Sequence, residues 1–206
     1  MINPKEEHAK QLNKRLQWQL DNPTRGLRFI QLDIQSLKLM VFTDASFANN
    51  QDLSSQIGFI IVLADKSNKA NILHWSSIKC KRVTRSVLAS ELYAMAHGFD
   101  AGAAIKSTIE AILQIRLPLI LCTDSKSLYD CLVKLGTTQE KRLMVDLMCL
   151  RQSYERREIT EVRWIDGNNN PADAMTKSKP CSALRDLIDT NTINIQATEW
   201  VERVKE

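Results

Sequence analysis

Apolar and polar residues alternate along the chain in a pattern that predicts a mixed α/β domain. Three apolar segments come first: LKLMVFTDAS (37–46), SSQIGFIIVLAD (54–65) and ANILHWSS (70–77). A polar turn separates the second from the third, so the pattern favours an antiparallel three-stranded meander. A helical stretch over about 84–113 follows, and then LPLILCTD (117–124), a continuous apolar run typical of a parallel strand buried on both faces.

The rest of the chain predicts helices at about 125–135 and 139–157, a strand at 159–165, and a helix at about 181–190. We therefore predict an α/β fold with a five-stranded mixed sheet, three antiparallel strands and then two parallel ones, flanked by helices on both faces. Before it, residues 5–20 predict an amphipathic helix, and 27–34 a possible strand. The predicted organisation is a connecting appendage (1–37), a catalytic domain (38–180) and a C-terminal helical extension (181–206).

The composition of the chain excludes only a few classes of function. The chain has 206 residues, with 28 Lys and Arg against 24 Asp and Glu and a net charge of +4. This excess is too small to indicate nucleic-acid binding by itself, so only the placement of the charges can indicate it. Its five cysteines include no Cys-x-x-Cys pair, which disfavours zinc sites and a disulfide framework. The sequence shows neither an apolar run long enough to span a membrane nor a signal-peptide core at its start, so no membrane contact is expected.

Two of the apolar runs end in the same dipeptide, Thr-Asp. Asp44 and Asp124 could each be an ordinary residue of a turn or a helix cap. If the two strands are parallel neighbours, however, both acids leave at the same carboxyl edge, where open α/β sheets place their ligands.

Two further acids are candidates for the same edge. Glu91 lies in an apolar helix stripe, where an unpaired carboxylate costs several kcal/mol unless a salt bridge or the solvent compensates it. Asp173 begins a short helix, where an acid is common. Carboxylates gathered at one place repel each other unless a cation intervenes, and oxygen ligands alone suit Mg²⁺ first and Mn²⁺ second. Two such ions about 4 Å apart can cleave a phosphodiester.

Four segments carry a resemblance to a known family. FTDASF, ASELYAM, LCTDSKSLYD and NPADAMTK occur in this order and resemble the four acidic motifs of ribonuclease H. HWSSIKCKRVTRSVLASELYAM and PADAMTK look more specifically like the ribonuclease H domain of copia-type (pseudovirus) retrotransposon polyproteins, of the fungal kind. The resemblance covers about 38–180, and residues 1–37 resemble the linker that follows the reverse-transcriptase region.

The resemblance implies cleavage of the RNA strand of RNA–DNA hybrids with two Mg²⁺ ions, for which Mn²⁺ is expected to substitute. Asp44 would bridge both metals, Glu91 would bind one and Asp124 the other, and Asp173 would complete the second metal site. Many ribonucleases H carry a histidine in the loop before the last acid. This chain has DGNNNPAD there, and Asp166, Asn168 or Asn169 are the candidates to replace that histidine.

Basic and polar residues near these motifs are the expected contacts with nucleic acid. A basic patch precedes the Glu91 helix, where a helix start can hold phosphates, and small polar residues follow Asp44, where they could meet the 2′-OH that marks RNA. The expected set is Ser46, Asn49, Asn50, Lys79, Lys81, Arg82, Thr84, Arg85, Ser86, Ser125 and Lys126.

Two other functions are compatible with the same pattern. One is a DNA nuclease of the integrase or resolvase type, and the other is a non-catalytic domain that binds hybrid or braces a polymerase. The expected partners are an RNA–DNA hybrid and the reverse-transcriptase region of the same polyprotein. The expected location is the cytoplasm, inside a virus-like particle for an active element, with the nucleus as an alternative.

Overall fold

The computed structural model describes residues 5–134, 140–195 and 197–202. Its strands are β1 (Lys38–Ser46), β2 (Gln56–Ala64), β3 (Ala70–Lys79), β4 (Leu119–Thr123), β5 (Glu161–Ile165) and β6 (Ala197–Glu202). Its helices are α1 (Glu6–Asp21), α2 (Val87–Leu113), α3 (Lys126–Val133), α4 (Met144–Glu155), α5 (Asp173–Thr176) and α6 (Ser182–Thr190). None of the described helices combines the length and the apolar character needed to cross a membrane.

The strands form one mixed sheet in the order β3-β2-β1-β4-β5-β6. The pairs β3–β2 and β2–β1 are antiparallel, and β1–β4 and β4–β5 are parallel, as the sequence predicts. The sheet has six strands rather than five, because β6 pairs antiparallel with β5. The C-terminal segment, expected to be helical, thus contributes one helix and one edge strand.

Each face of the sheet has its own apolar core. Leu39 and Val41 of β1 face one core, and Met40 and Phe42 face the other, which follows from the period of two in a strand. The larger core includes apolar residues of α2, α3 and α4. The smaller one is closed by α6 and by the loop that precedes α5.

Two glycines bring α2 unusually close to β1. A Cβ atom at Gly98 would lie 2.9 Å from a methyl carbon of Val41, and one at Gly102 would lie 2.8 Å from the other methyl carbon. The helix therefore lies directly on the first strand, and its N-terminal half reaches the edge where β1 ends.

The segment between α1 and β1 is held by side-chain amides rather than by a strand partner. Asn71 accepts from the backbone N–H of Ile30 at 2.9 Å and donates to its carbonyl at 2.8 Å, and Asn191 donates to the carbonyl of Arg28 at 2.8 Å. The strand considered for 27–34 is therefore wrong, and a single 3-10 turn covers Ile34–Ser36. Helix α1, in contrast, has no buried residue.

Candidate active site

Strands β1 and β4 end side by side, which brings their terminal acids together. Their last paired residues are Phe42 and Cys122, so that Asp44 and Asp124 leave the sheet at the same edge. The hydroxyl of Thr43 donates to the carbonyl of Cys122 at 3.4 Å and links the two strands just before the acids.

Helix α2 supplies a third acid at this edge. Ser86 caps the helix by accepting from the N–H of Ala89 at 3.1 Å, and Glu91 follows in the first turns with only 5% of its surface exposed. One carboxylate oxygen each from Asp44, Glu91 and Asp124 lies within 4.8 Å of the other two. We call these three residues the acidic triad, and the sequence analysis predicted their convergence.

The acids destabilise one another's charged forms. Burial raises the pKa of Glu91 to about 9, and the charges of Asp44 and Asp124 act in the same direction. Burial also raises the pKa of Asp44 to about 7, although a hydrogen bond from Thr176 opposes the rise. The pKa of Asp124 is raised by burial and then by the charge of Asp173. A bound cation would offset this repulsion and stabilise the ionised acids.

The triad fits a hard divalent cation. All its donor atoms are carboxylate oxygens, which Mg²⁺ and Mn²⁺ prefer. The Oε2 atom of Glu91 is buried and has no hydrogen-bond partner among the described residues. A buried carboxylate oxygen without a partner is costly, and binding a metal ion would remove this cost.

Asp173 lies beside the triad rather than within it. It begins α5, and Lys177 joins it to the triad: the lysine Nζ is 2.8 Å from Oδ1 of Asp173 and 3.8 Å from Oδ1 of Asp44. The hydroxyl of Thr176 donates to Oδ2 of Asp44. The placement of α5 depends on Gly58, since a Cβ there would lie 2.3 Å from the Cβ of Met175.

The loop before α5 is fixed to the strand ends. Asn170 is fully buried, donates to the carbonyl of Thr43 at 2.9 Å, and accepts from the N–H of Ala172 at 3.1 Å. Gly167 leaves room for the triad, because a Cβ there would lie 3.1 Å from Oδ2 of Asp124. Asp166 accepts from the N–H of Asn168 at 2.7 Å, a contact internal to the loop. The idea that a residue of this loop replaces the histidine stays a prediction.

Sequence reasoning overlooked three residues of this site. Asn170, Thr176 and Lys177 all lie within the segment NPADAMTK, which was singled out only for Asp173. The available signal was the spacing of four residues between Asp173 and Lys177, which places an ion pair on one helix face.

Two of the basic residues predicted to bind nucleic acid already form ion pairs within the protein. Lys79 forms an ion pair with Asp52, and Arg82 lies 2.7 Å from Asp146. Lys81 and Arg85 are exposed beside them.

Lys126 lies at the start of α3, next to the triad. Its Nζ is 4.9 Å from the ring centre of Trp164, whose indole N–H donates to the backbone carbonyl of Asp124 at 3.1 Å. Lys126 is therefore the predicted basic contact with the most direct structural link to the triad.

Most of the predicted polar contacts have partners inside the protein. Ser86 and Ser125 cap α2 and α3. The hydroxyl of Thr84 lies 2.6 Å from that of Ser55, and the amide of Asn50 donates to Ser54 at 3.0 Å. Ser46 is partly exposed and Asn49 is exposed after the end of β1. Contact of any of these residues with nucleic acid stays a prediction.

Known structures of ribonucleases H1 share the fold of this chain. Ribonuclease H1 from the halophilic archaeon Halobacterium salinarum NRC-1 is 16% identical to this chain, with 72% of this chain and 98% of that chain covered and a TM-score of 0.51. LC11-RNase H1, solved in complex with an RNA/DNA hybrid, is 17% identical, with 71% and 99% covered and a TM-score of 0.52. The fold is ribonuclease H-like. No protein-family model and no curated protein matches the chain. At these identities, the comparison establishes the ribonuclease H-like fold and nothing about the reaction.

Proposed function

We propose that this chain is a ribonuclease H, an endonuclease that cleaves the RNA strand of RNA–DNA hybrids with divalent metal ions. The observation that carries the proposal is the convergence of Asp44, Glu91 and Asp124 within 4.8 Å. These residues come from two strand ends and a helix that are far apart in the sequence. Two of them are almost completely buried, where a carboxylate is costly unless a positive charge compensates it.

The roles follow from the positions of the acids. Asp44 would hold both ions, because it lies in the triad and also faces Asp173 across Lys177. Glu91 would hold one ion, and Asp124 and Asp173 would complete the other site. Two Mg²⁺ ions, or Mn²⁺ in their place, would supply an activated water and neutralise charge on the leaving oxygen.

The other residues of the site position these acids. Thr176 orients Asp44, and Asn170 fixes the loop that carries Asp173. Lys126 and the basic patch before α2 would hold the phosphates of the hybrid, with Ser46 and Asn49 close to its sugars. The two similar structures described above are named as ribonucleases H1, and LC11-RNase H1 was solved with an RNA/DNA hybrid. Both facts support this choice of substrate.

We further propose that the chain is the ribonuclease H part of a retroelement reverse transcriptase of the copia type. The support is the sequence resemblance of residues 38–180, which would form the catalytic unit, with 1–37 connecting it to the polymerase and 181–206 as an extension. The location would be the cytoplasm or, for an active element, a virus-like particle.

One assay tests the reaction against the two alternatives. End-labelled RNA–DNA hybrid, single-stranded RNA and duplex DNA are incubated with the protein and Mg²⁺ or Mn²⁺, with and without EDTA. We expect metal-dependent cleavage of the RNA in the hybrid alone. Cleavage of duplex DNA would favour an integrase-type or resolvase-type nuclease, and binding of hybrid without cleavage would favour a structural domain.

Two variants connect the result to the site. Asp44→Asn should abolish cleavage, because it removes the carboxylate common to both ions. Asp52→Asn is the matched control, since Asp52 is an acid on the turn after β1 that forms an ion pair with Lys79 outside the triad. Equal cleavage by wild type and Asp44→Asn would remove Asp44 from the mechanism.

A further inference from the structure

A lysine lies between two of the acids that the proposed function assigns to metal. Lys177 follows α5 directly, and its Nζ is 2.8 Å from Asp173 and 3.8 Å from Asp44. Asp44 belongs to the triad and Asp173 lies beside it, so the lysine contacts one acid of each kind. The lysine therefore puts a positive charge beside the two carboxylates that would hold the second divalent ion.

The backbone that carries this lysine is fixed. The N–H of Lys177 donates to the carbonyl of Asp173 at 2.9 Å, and the neighbouring Thr176 is bonded to Asp44. Met175 lies against Gly58 with no space between them for a side chain. The lysine side chain, in contrast, is 46% exposed. It can leave the two carboxylates by rotating into solvent while the acids keep their positions.

We propose that Lys177 is an internal cation that competes with a divalent ion for Asp44 and Asp173 and so sets the metal concentration at which the second site fills. This inference rests on the proposed function, because it takes these acids to be metal ligands. The competition has a simple physical origin. A divalent ion and an ammonium group cannot share one pair of carboxylates without repelling each other, so the ion binds only when the ammonium has moved away.

The structure also explains why a cation is needed there in the absence of metal. Asp44 is 2% exposed, has carboxylate oxygens of Glu91 and Asp124 within 4.8 Å, and also feels the charge of Asp173. Without a positive charge nearby, ionised acids this close together would repel one another. Lys177 thus stabilises the metal-free form and destabilises the metal-bound form. Both effects lower the affinity for metal.

The test measures metal binding directly, without nucleic acid. Mn²⁺ is titrated calorimetrically into wild type, Lys177→Met and Lys179→Met at fixed pH and salt. Lys179 is an exposed lysine two residues further on, so its loss changes the net charge equally. Lys177→Gln serves as a second neutral variant, and Lys177→Arg keeps the charge.

We expect Lys177→Met and Lys177→Gln to bind Mn²⁺ about tenfold more tightly than wild type, or to fill a further site. Lys179→Met and Lys177→Arg should stay within about twofold of wild type. Without metal, the two neutral variants at 177 should also melt at a lower temperature than Lys179→Met, and saturating Mn²⁺ should remove this difference.

The outcomes separate this inference from the proposed function. Tight Mn²⁺ binding by wild type, with Lys177→Met and Lys179→Met alike, would overturn the role of Lys177 and leave the metal centre intact. Absence of Mn²⁺ binding by wild type and by all variants would overturn both.

Discussion

Replacing Asp44 by Asn should stabilise the metal-free protein, and the gain should grow with pH. The substitution keeps the shape of the side chain and an oxygen that can accept the hydrogen bond from Thr176, but it removes the charge. Asp44 is 2% exposed, and its pKa is raised to about 7, first by burial and then by the charges of Asp173 and Asp124. The native protein therefore loses free energy whenever this carboxyl ionises.

The sign and size of the effect follow from proton linkage. The folded pKa is above the unfolded value of 3.8, so between about pH 4 and pH 7 the native state binds more protons than the unfolded state. The free energy of unfolding of wild type must then fall as the pH rises through this window. At 1.36 kcal/mol per pKa unit, the upper limit of the loss is about 2 kcal/mol at about pH 5 and about 4 kcal/mol at about pH 8. The advantage of Asp44→Asn over wild type should thus grow by about 2 kcal/mol between these conditions.

Urea unfolding in EDTA at the two pH values measures this difference. Asp52→Asn is the control, because hydrogen bonds from Lys79 and Ser54 lower the pKa of Asp52 to about 2. A lowered folded pKa gives stability that is present above the unfolded pKa and is lost only as the pH falls through the folded value. The offset of Asp52→Asn from wild type should therefore be constant from about pH 5 to about pH 8.

A constant offset for Asp44→Asn over the same range would refute the reasoning, because it would mean that Asp44 ionises without penalty in the folded protein. Saturating Mg²⁺ provides a second check. Ligand binding to the native state alone stabilises it by RT ln(1 + [L]/Kd), so the metal should raise the stability of wild type and should raise that of Asp44→Asn much less.

Three further predictions test the contact of α5 with β2, the anchoring of the segment before β1, and the basic patch before α2. Gly58→Ala should destabilise the protein by about 1–3 kcal/mol in urea unfolding and lower hybrid cleavage, because the added methyl group would overlap α5. Gly26→Ala is the control, since its added methyl group meets no atom within 4 Å, and it should be neutral in both assays. Asn71→Ala should reduce the free energy of urea unfolding by about 1–3 kcal/mol, since the backbone segment that precedes β1 would lose both hydrogen bonds to the amide. Neutralising Lys81 and Arg85 together should lower the slope of log affinity for hybrid against log salt by about 2 in a filter-binding titration, and an unchanged slope would exclude these residues from phosphate contact.

The order of strands and helices could be predicted because the apolar runs of this chain are long and well separated. The convergence of Asp44 and Asp124 followed from topology alone, since parallel neighbours end at one edge. Two elements could not be predicted in the same way. The segment at 27–34 is apolar enough for a strand, but at Ile30 both backbone groups bond to the amide of Asn71 instead of to a neighbouring strand. Strand β6 lies at the edge of the sheet, where pairing with β5 decides its conformation more than its own pattern does.

The position of Lys177 shows a different limit of sequence reasoning. Its spacing from Asp173 is visible in the sequence, but its distance from Asp44 depends on a contact between β2 and α5. A glycine within a buried strand weakens that strand, and Gly58 stands directly opposite Asp44 in the β1–β2 pair. A larger residue there would move α5, with Asp173 and Lys177, away from Asp44 and would leave the triad in place. Gly58→Ala should therefore weaken binding of the second ion, which would take Asp173 as a ligand, more than binding of the first.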